Sequence, residues 1–131
     1  MARKRRRSFR RRIPVKAVYR ICEVKDGLPF TLFHGIGGSK RIPMDRWVKA
    51  RVRTVNDGDR GKPYKSGFHV LKNRGTAKRV LRDTFKKKRG RVVVRVNVAD
   101  LWPKKHSRHG VMLARYMKLS RNDWNRREGV A

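Results

Sequence analysis

The excess of positive charge is the feature that most limits what this chain can fold into. Its 131 residues carry 39 Lys and Arg against 9 Asp and Glu, a formal net charge of +30. Crowding so many cations onto one compact body causes self-repulsion unless a polyanion neutralises them. A chain of this length suits a single small domain. The charge therefore predicts a small folded protein that works in contact with a polyanion.

Nucleic acid and membrane surfaces are the two polyanions to consider. The chain has no run of about 18 apolar residues that could cross a bilayer, and no apolar stretch after its basic start that would indicate a secretory signal. A basic helix on a membrane needs a periodic apolar face, and the basic run in residues 1–12 offers only Phe9. We therefore expect nucleic acid, with DNA favoured over RNA, and neither a membrane nor a small-molecule substrate.

The first twelve residues form a basic block that cannot fold alone, because like charges repel and little apolar surface is available to bury. The forked donors of arginine suit phosphate oxygens, and Pro14 disfavours helix at Ile13. Without this block the chain still has a net charge of +22. We predict that residues 1–14 are a nucleic-acid-binding arm that acts through Arg3, Lys4, Arg5, Arg6, Arg7, Arg10, Arg11 and Arg12.

The pattern of β-branched and aromatic residues predicts several strands separated by turns. Asp26 and Gly27 supply a tight turn after the first strand, since glycine tolerates positive φ. The strand at 91–99 has valine at every second position and Val93 on its other face, so we place it centrally and expect 101–103 to leave it. In chain order the predicted strands are residues 15–24, 30–34, 46–55, 67–71, 91–99 and 111–119.

One helix is predicted after residue 73. Asn73 fits the N-cap position, and apolar residues follow at helical spacing. Cations near the negative C-terminal pole and a left-handed Gly90 would end the helix. The predicted apolar face is Ala77, Val80, Leu81, Thr84 and Phe85, and the terminal cations, which we expect to contact phosphate, are Lys86, Lys87, Lys88 and Arg89.

Residues 46–55 alternate between small or apolar side chains and cations. A strand places the side chains of one face about 6.5–7 Å apart, near the phosphate spacing of an extended strand. Ordinary solvated cations on a half-buried strand are the alternative interpretation. Because the body itself is so basic, we expect phosphate contacts from Lys49, Arg51 and Arg53.

Side chains that could support metal binding or catalysis are sparse. His106 and His109 lie in a basic loop whose cations disfavour a divalent metal. The carboxylates are scattered, and no nucleophile–base set can be proposed. Cys22 is the only cysteine, so it forms no internal disulfide and is interpreted as a buried strand residue. We expect no metal, no cofactor and no enzymatic activity, and phosphate contacts from Lys104, Lys105 and Arg108.

Aromatic residues occur among the cations, and a base stacked on such a ring would favour single-stranded polymer. Core packing is the competing interpretation, which we prefer for Trp47 and Phe68. Phe9 and Trp124 are the candidates for a stacking platform or an anchor into a partner protein. The aromatic residues of this kind are Phe9, Trp47, Tyr64, Phe68, Trp102 and Trp124.

Together these patterns predict an α+β fold. We expect a small antiparallel sheet of about four to six strands with one helix on one face, and basic extended tails at both ends. The predicted division is an arm at 1–14, a folded domain at 15–119 and a basic C-terminal tail at 120–131.

The order of elements carries a resemblance. It comprises the strand at 18–21 with its Asp26-Gly27 turn, the segment Gly67-Phe68-His69-Val70, a short helix around Ala77, residues 91–98 and a closing strand at 114–119. Over residues 15–119 this order resembles small, mostly uncharacterised domains encoded by bacteriophages, which are generally less basic. The arm looks like those of packaging or internal proteins of small viruses, which implies arginines that neutralise the genome beneath a capsid.

Two functions are therefore expected. The first is a phage or viral virion protein that binds the genome nonspecifically and docks to capsid or another virion protein, in the virion interior or the host cytoplasm. The alternative is a ribosomal or ribonucleoprotein RNA-binding protein, since ribosomal proteins share such arms. An inhibitor that imitates nucleic acid fits poorly, because such surfaces are acidic.

Overall fold

The computed structural model describes residues 14–32, 40–55, 63–85, 90–104, 107 and 109–129. Within these ranges strands dominate and helix content is small. None of the helices there is long and apolar enough to cross a membrane. The strands are β1 Val15–Lys25, β2 Leu28–Phe30, β3 Trp47–Lys49, β4 Thr54–Val55, β5 Tyr64–Lys65, β6 Phe68–Val70, β7 Arg91–Pro103 and β8 Met112–Lys118, and the helices are α1 Arg74–Phe85 and α2 Arg121–Asn125.

The first hairpin joins β1 to β2 through a two-residue turn. Asp26 and Gly27 both have positive φ, 52° and 74°, as the tight hairpin turns that match strand twist require. The turn aligns Lys25 with Leu28 and Glu23 with Phe30. The turn prediction is confirmed, and the second strand begins two residues earlier than the sequence indicates; residues 33–34 of that prediction lie outside the described ranges.

The main sheet is antiparallel, with the strand order β2-β1-β7-β8-β3 and with β6 also paired to β8. As predicted, β7 is central: it pairs with β1 along one edge and with β8 along the other. Its alternating valines are buried on one face, and Val93 is buried on the opposite face. The prediction of an antiparallel sheet is therefore confirmed, whereas the described residues form two short helices and the sequence predicted one.

The sheet curls until β6 reaches β1. Leu71, directly after β6, exchanges two backbone hydrogen bonds with Tyr19 of β1, at 2.9 and 2.7 Å between N and O. The strands β1, β7, β8 and β6 thus surround an inner core, while α1 covers a second cluster on the outside. The inner core includes Val18, Cys22, Val70, Val94, Val96, Val98, Met117 and Leu119, and the outer cluster contains Ile21, Leu71, Ala77, Val80, Leu81 and Val93.

Helix α1 follows the predicted amphipathic pattern. Ala77, Val80 and Leu81 are buried against β1 and β7, while Lys78 and Arg79 are exposed. Gly90 has the predicted left-handed φ, at 80°. The terminal cations at 86–89 and the side chains of residues 84 and 85 lie outside the described part of the chain.

The prediction of one strand over 46–55 is wrong. Ala50 still donates to the carbonyl oxygen of Arg115 (2.7 Å), but the chain then leaves β8. The backbone of Arg51 and Arg53 bonds instead to Ser66, at 2.8 to 3.3 Å, and β4 pairs with β5 in a separate two-stranded sheet. The alternation of residues 46–55 could not reveal this break, because Ser66, which bonds to Arg51 and Arg53 in place of β8, lies 15 and 13 residues further along the chain.

Strand β7 continues past the point at which the sequence predicts it to end. Asp100 has a left-handed φ of 59°, a conformation that aspartate tolerates better than most residues. The regular alternation shifts there by one residue: Val98 and Met117 face the inner core before Asp100, and Leu101 and Ala114 belong to it afterwards. Because this shift breaks the two-residue period, the sequence pattern predicted that residues 101–103 leave the strand.

The prediction of an extended C-terminal tail is also wrong, because Arg121–Asn125 form the helix α2. Ser120 caps α2 by accepting from the amide of Asp123 (3.0 Å), and its hydroxyl donates to the carboxylate of the same residue (3.0 Å). Trp124 is only 3% exposed, and its indole N–H donates to the carbonyl oxygen of Gly27 (3.0 Å). Burial of this one large ring and a capped helix start hold α2 against the domain.

The segment after α2 completes an open edge of β7. Pairing between β7 and β8 begins at Asn97, so the edge near Val93 has no strand beside it. Glu128 fills the gap with two backbone bonds to Val93, at 2.8 and 2.9 Å. Unpaired backbone groups in a largely buried strand are costly, so the edge itself favours this docking.

Candidate nucleic-acid interface

A cleft of about 560 Å³ opens where the small sheet of β4 and β5 meets the ends of β7 and β8. This volume is within the range of small-ligand sites, roughly 300–1,000 Å³. The lining combines aromatic and aliphatic surface with charged side chains. It consists of Thr54, Pro63, Tyr64, Lys65, Asp100, Trp102, Pro103, Leu113 and Arg115.

Trp102 is held in a fixed position in this cleft. Its indole N–H donates to the carbonyl oxygen of Lys65 (3.2 Å), and the ammonium group of the same lysine lies 5.5 Å from the ring centroid. Gly67 backs the ring, since a Cβ there would lie 3.0 Å from an indole carbon and 2.9 Å from the carbonyl oxygen of Ala114. The ring is therefore positioned by backbone contacts and needs little rearrangement to receive a ligand.

A second group of aromatic and cationic side chains stands at Tyr64. Its hydroxyl oxygen lies 3.3 Å from Nε2 of His69, which is itself 3.4 Å from the ammonium of Lys104. That ammonium also lies over the Tyr64 ring, 4.5 Å from the centroid, a distance at which the ring face attracts a cation. The cleft is thus bordered by two cations, Lys65 and Lys104, each against an aromatic ring.

Asp100 is the only acidic residue that lines the cleft in the described part of the chain, and it is paired. Its Oδ2 lies 2.7 Å from Nε of Arg115, which stands opposite on β8. The left-handed conformation of Asp100 places the two side chains together where the strand alternation shifts. The pair leaves little negative charge to repel an anion.

The cations Lys49, Arg51 and Arg53 are all exposed, and backbone hydrogen bonds tie their segment to residues at or next to the cleft. The amide of Ala50 bonds to Arg115, and the backbone of Arg51 and Arg53 bonds to Ser66, next to Lys65. These three residues do not form the continuous strand predicted for them, so the regular spacing expected of a strand does not apply. They form an exposed basic segment, which we call the basic border, whose backbone is joined to Arg115 of the cleft lining and to Ser66.

Comparison with protein-family models, with curated proteins and with solved structures gave no match. Function is therefore inferred from charge and geometry, and the resemblance to phage domains stays a prediction.

The structure gathers some of the predicted binding residues and does not reach others. Lys104 lies at the cleft, over the ring of Tyr64, and the segment of Lys49, Arg51 and Arg53 is bonded to Arg115 and Ser66. Phe9, the cations of the arm (Arg3, Lys4, Arg5, Arg6, Arg7, Arg10, Arg11, Arg12), the helix-end cations (Lys86, Lys87, Lys88, Arg89) and the loop cations (Lys105, Arg108) lie outside the described residues.

Trp124 is not available as a stacking platform or as an exposed anchor, which corrects the prediction. Its ring is buried in the inner core, and the guanidinium of Arg127 lies over it, 4.5 Å from the centroid. The sequence suggested a basic tail because cations surround this tryptophan. Arg121 and Arg126 are exposed, whereas the ring packs inward beneath the guanidinium of Arg127.

Residues that complete the cleft are harder to find in the sequence. Tyr64 and Trp102 appear there as aromatics among cations, whereas Lys65, Gly67 and Arg115 carry no motif. The available signal is that Tyr64 directly precedes a cation, Lys65, and that Trp102 lies two residues before another, Lys104. Their meeting depends on the curl of the sheet, which brings β5 against β7.

The described residues contain no group of three His, Cys, Asp or Glu side chains that could hold a metal ion. Cys22 is fully buried, and its burial raises the pKa of the thiol to about 11 against the opposing effect of Arg20. A thiol of this kind stays protonated and weakly nucleophilic near neutral pH.

Proposed function

We propose that this protein binds nucleic acid nonspecifically through the phosphate backbone, as a structural component of a phage or viral particle that neutralises the packaged genome beneath the capsid. Contact with capsid or another virion protein is part of this proposal. The protein would then act in the virion interior, after synthesis in the host cytoplasm.

The observation that carries the proposal is that folding leaves the positive charge on the surface. Of the 23 Lys and Arg residues in the described ranges, 17 are exposed and one, Arg20, is buried. Ion pairs between described residues involve six of these cations. A body that keeps so much charge exposed requires an external polyanion, and phosphate supplies it at high density.

The distribution of the exposed cations favours a nonspecific mode. They occur on α1, around the cleft and along β1 to β3, not on a single helix that could enter a groove. Contacts to phosphate fix position without reading sequence, whereas specificity needs side chains aimed at base edges. A protein of this kind neutralises polymer of any sequence.

Competition binding tests the nonspecific mode directly. The full chain, bound to a labelled DNA duplex of 30 base pairs, is challenged with unlabelled duplex DNA of unrelated sequence and with folded, base-paired RNA of equal length. We expect the competitors to agree within about threefold at one salt concentration, because phosphate contacts dominate. A strong preference for one folded RNA would contradict the proposal and favour a ribonucleoprotein component. Recovery of the protein from its native particle with nuclease-sensitive DNA would support the virion role.

A further inference from the structure

We propose that the cleft between β4–β5 and β7–β8 binds an unpaired base, so that single-stranded nucleic acid is the preferred form of the polymer. This inference rests on the proposed function, because it names the form of nucleic acid that the same surface takes. The residues that carry it are Trp102, Tyr64, Lys65, Lys104 and the Asp100–Arg115 pair.

Trp102 supplies the stacking surface. Its indole N–H is bonded to the backbone of Lys65 and its ring is backed by Gly67, while the side chain as a whole is only half-buried and lines the cleft. Every base has a π-face that can stack on such a ring, whatever its identity. A ring fixed before binding loses little conformational freedom when a base arrives.

The cations at the two rings suit the phosphates on either side of that base. Lys65 lies over the exposed part of Trp102 and Lys104 lies over Tyr64. A cation over an exposed ring stabilises less than a stacked base does, so a base can displace the Lys65 ammonium from Trp102. The long lysine side chain then places its charge on the adjoining phosphate.

The size and polarity of the cleft fit a nucleotide unit. About 560 Å³ is enough for one base with its sugar, and Tyr64 and Leu113 provide buried walls. The carboxylate of Asp100 and the guanidinium of Arg115 add an acceptor and donors that can reach base edges. In a duplex the base faces are covered by neighbouring bases, so only an unstacked base can enter.

The basic border offers further phosphate contacts to a single strand of nucleic acid that is bound at the cleft. Lys49, Arg51 and Arg53 are exposed, and the backbone of residues 50, 51 and 53 is bonded to Arg115 of the cleft lining and to Ser66, the neighbour of Lys65. A single strand that inserts one base at Trp102 can place its next phosphates along these cations. Aromatic platforms beside a positive groove are the usual arrangement for sequence-tolerant single-strand binding.

Substitution of Trp102 separates this inference from the proposed function. The full chain and its Trp102→Leu variant are titrated by fluorescence anisotropy with a labelled 20-mer of thymidylate and with a labelled 20-base-pair duplex. We expect Trp102→Leu to weaken single-strand binding by about tenfold or more, the effect of losing one stacked base, and to change duplex binding by less than about twofold, since duplex contacts are to phosphate.

Phe30→Leu is the matched control, because the Lys25 ammonium lies over the Phe30 ring (5.2 Å from the centroid) as Lys65 does over Trp102, but outside the cleft. This variant should change neither affinity. Equal loss on both polymers, or no loss on the single strand, would overturn the base site while leaving phosphate binding intact. If the unmodified chain showed no salt-sensitive binding to either polymer, that result would instead refute the proposed function.

Photocrosslinking provides a test that needs no variant. A thymidylate 20-mer carrying 5-iodouracil is irradiated with the unmodified full chain, and the crosslinked peptide is mapped by mass spectrometry. Crosslinks at Trp102 or Tyr64 are expected. Crosslinks confined to other residues would overturn the inference even if Trp102→Leu failed to fold.

Discussion

Among the Lys and Arg residues that the structure describes, Arg20 is the one that is buried, with 9% of its surface exposed. Its Nη1 donates to the carbonyl oxygen of His69 (3.3 Å), its guanidinium lies 5.5 Å from the Phe68 centroid, and its Nε has no hydrogen-bond partner among the described atoms. Desolvation by burial lowers the pKa of this guanidinium. Arg20 thus links β1 to β6 beside the cleft, with a charge that is only partly compensated.

Replacement of Arg20 should separate packing from charge. Arg20→Met keeps most of the volume and removes the buried charge, so we expect the free energy of unfolding to stay level or rise by about 1 kcal/mol. Arg20→Ala leaves a cavity between β1 and β6, so we expect a loss of about 2–4 kcal/mol. Urea denaturation of the two variants measures both effects. A methionine variant clearly less stable than the unmodified chain would contradict this expectation and show that the charge itself stabilises the fold.

Residue patterns predicted the strands with regular valine alternation and missed the places where one residue changes the geometry. The alternating valines of β7 follow from period two alone. Asp100 could not be anticipated, because its left-handed φ shifts the alternation and extends the strand into Trp102. Part of the candidate cleft therefore cannot be predicted from residue patterns, although Tyr64 directly precedes Lys65 and Trp102 lies two residues before Lys104.

At the scale of elements, the C-terminal segment shows how a basic stretch can be part of the fold. Helix α2 docks through Trp124, and Glu128 pairs with the backbone of Val93. The carboxylate of Glu128 also accepts from Arg74 at the start of α1 and lies 3.8 Å from the ammonium of Lys78. The segment joins β7 to α1, a role that its composition does not indicate.

The Glu128 contacts predict a pH-dependent stabilisation. Hydrogen bonds from Arg74 hold the pKa of Glu128 below its ordinary value of 4.5. The stabilisation is therefore present above pH 4.5 and is lost as the pH falls through the lowered pKa. Glu128→Gln should reduce Tm slightly at pH 7, because the pair is exposed, and the difference from the unmodified chain should close in acid.

Hydrogen exchange at a single backbone amide tests the linking role of Glu128 locally. The Val93 amide donates to the backbone carbonyl oxygen of Glu128, and the pairing of the Glu128 carboxylate with Arg74 holds this segment in place, so weaker pairing in Glu128→Gln should lower the protection of Val93. Asp83→Asn is the control, since among the described residues Asp83 pairs with the neighbouring Arg82 on the same helix (3.4 Å) and with no other element. Equal effects of the two variants at Val93 would contradict a linking role for Glu128.

At the scale of the whole molecule, the curl of the sheet determines which surfaces meet. The bond pair between Tyr19 and Leu71 joins residues far apart in sequence, and it places β6 and the cleft next to β1. No local pattern encodes such a pairing, so the sequence predicts an antiparallel sheet with a helix but not its closure. Charge is different, because it is a property of composition and needs no knowledge of the fold.

The central claim concerns that charge: an external polyanion balances it through contacts to phosphate. The dependence of binding on salt tests this most directly. The affinity of the full chain for a labelled single-stranded 30-mer is measured by anisotropy between about 0.05 and 0.5 M salt, and log K is plotted against log salt. Each phosphate contacted lowers log K with a slope of about 0.7 on single strands.

We predict a slope of about 5 or more, since the arm alone carries eight cations and the body adds an exposed basic border at the cleft. A slope below about 3, or no binding in dilute buffer, would contradict the account.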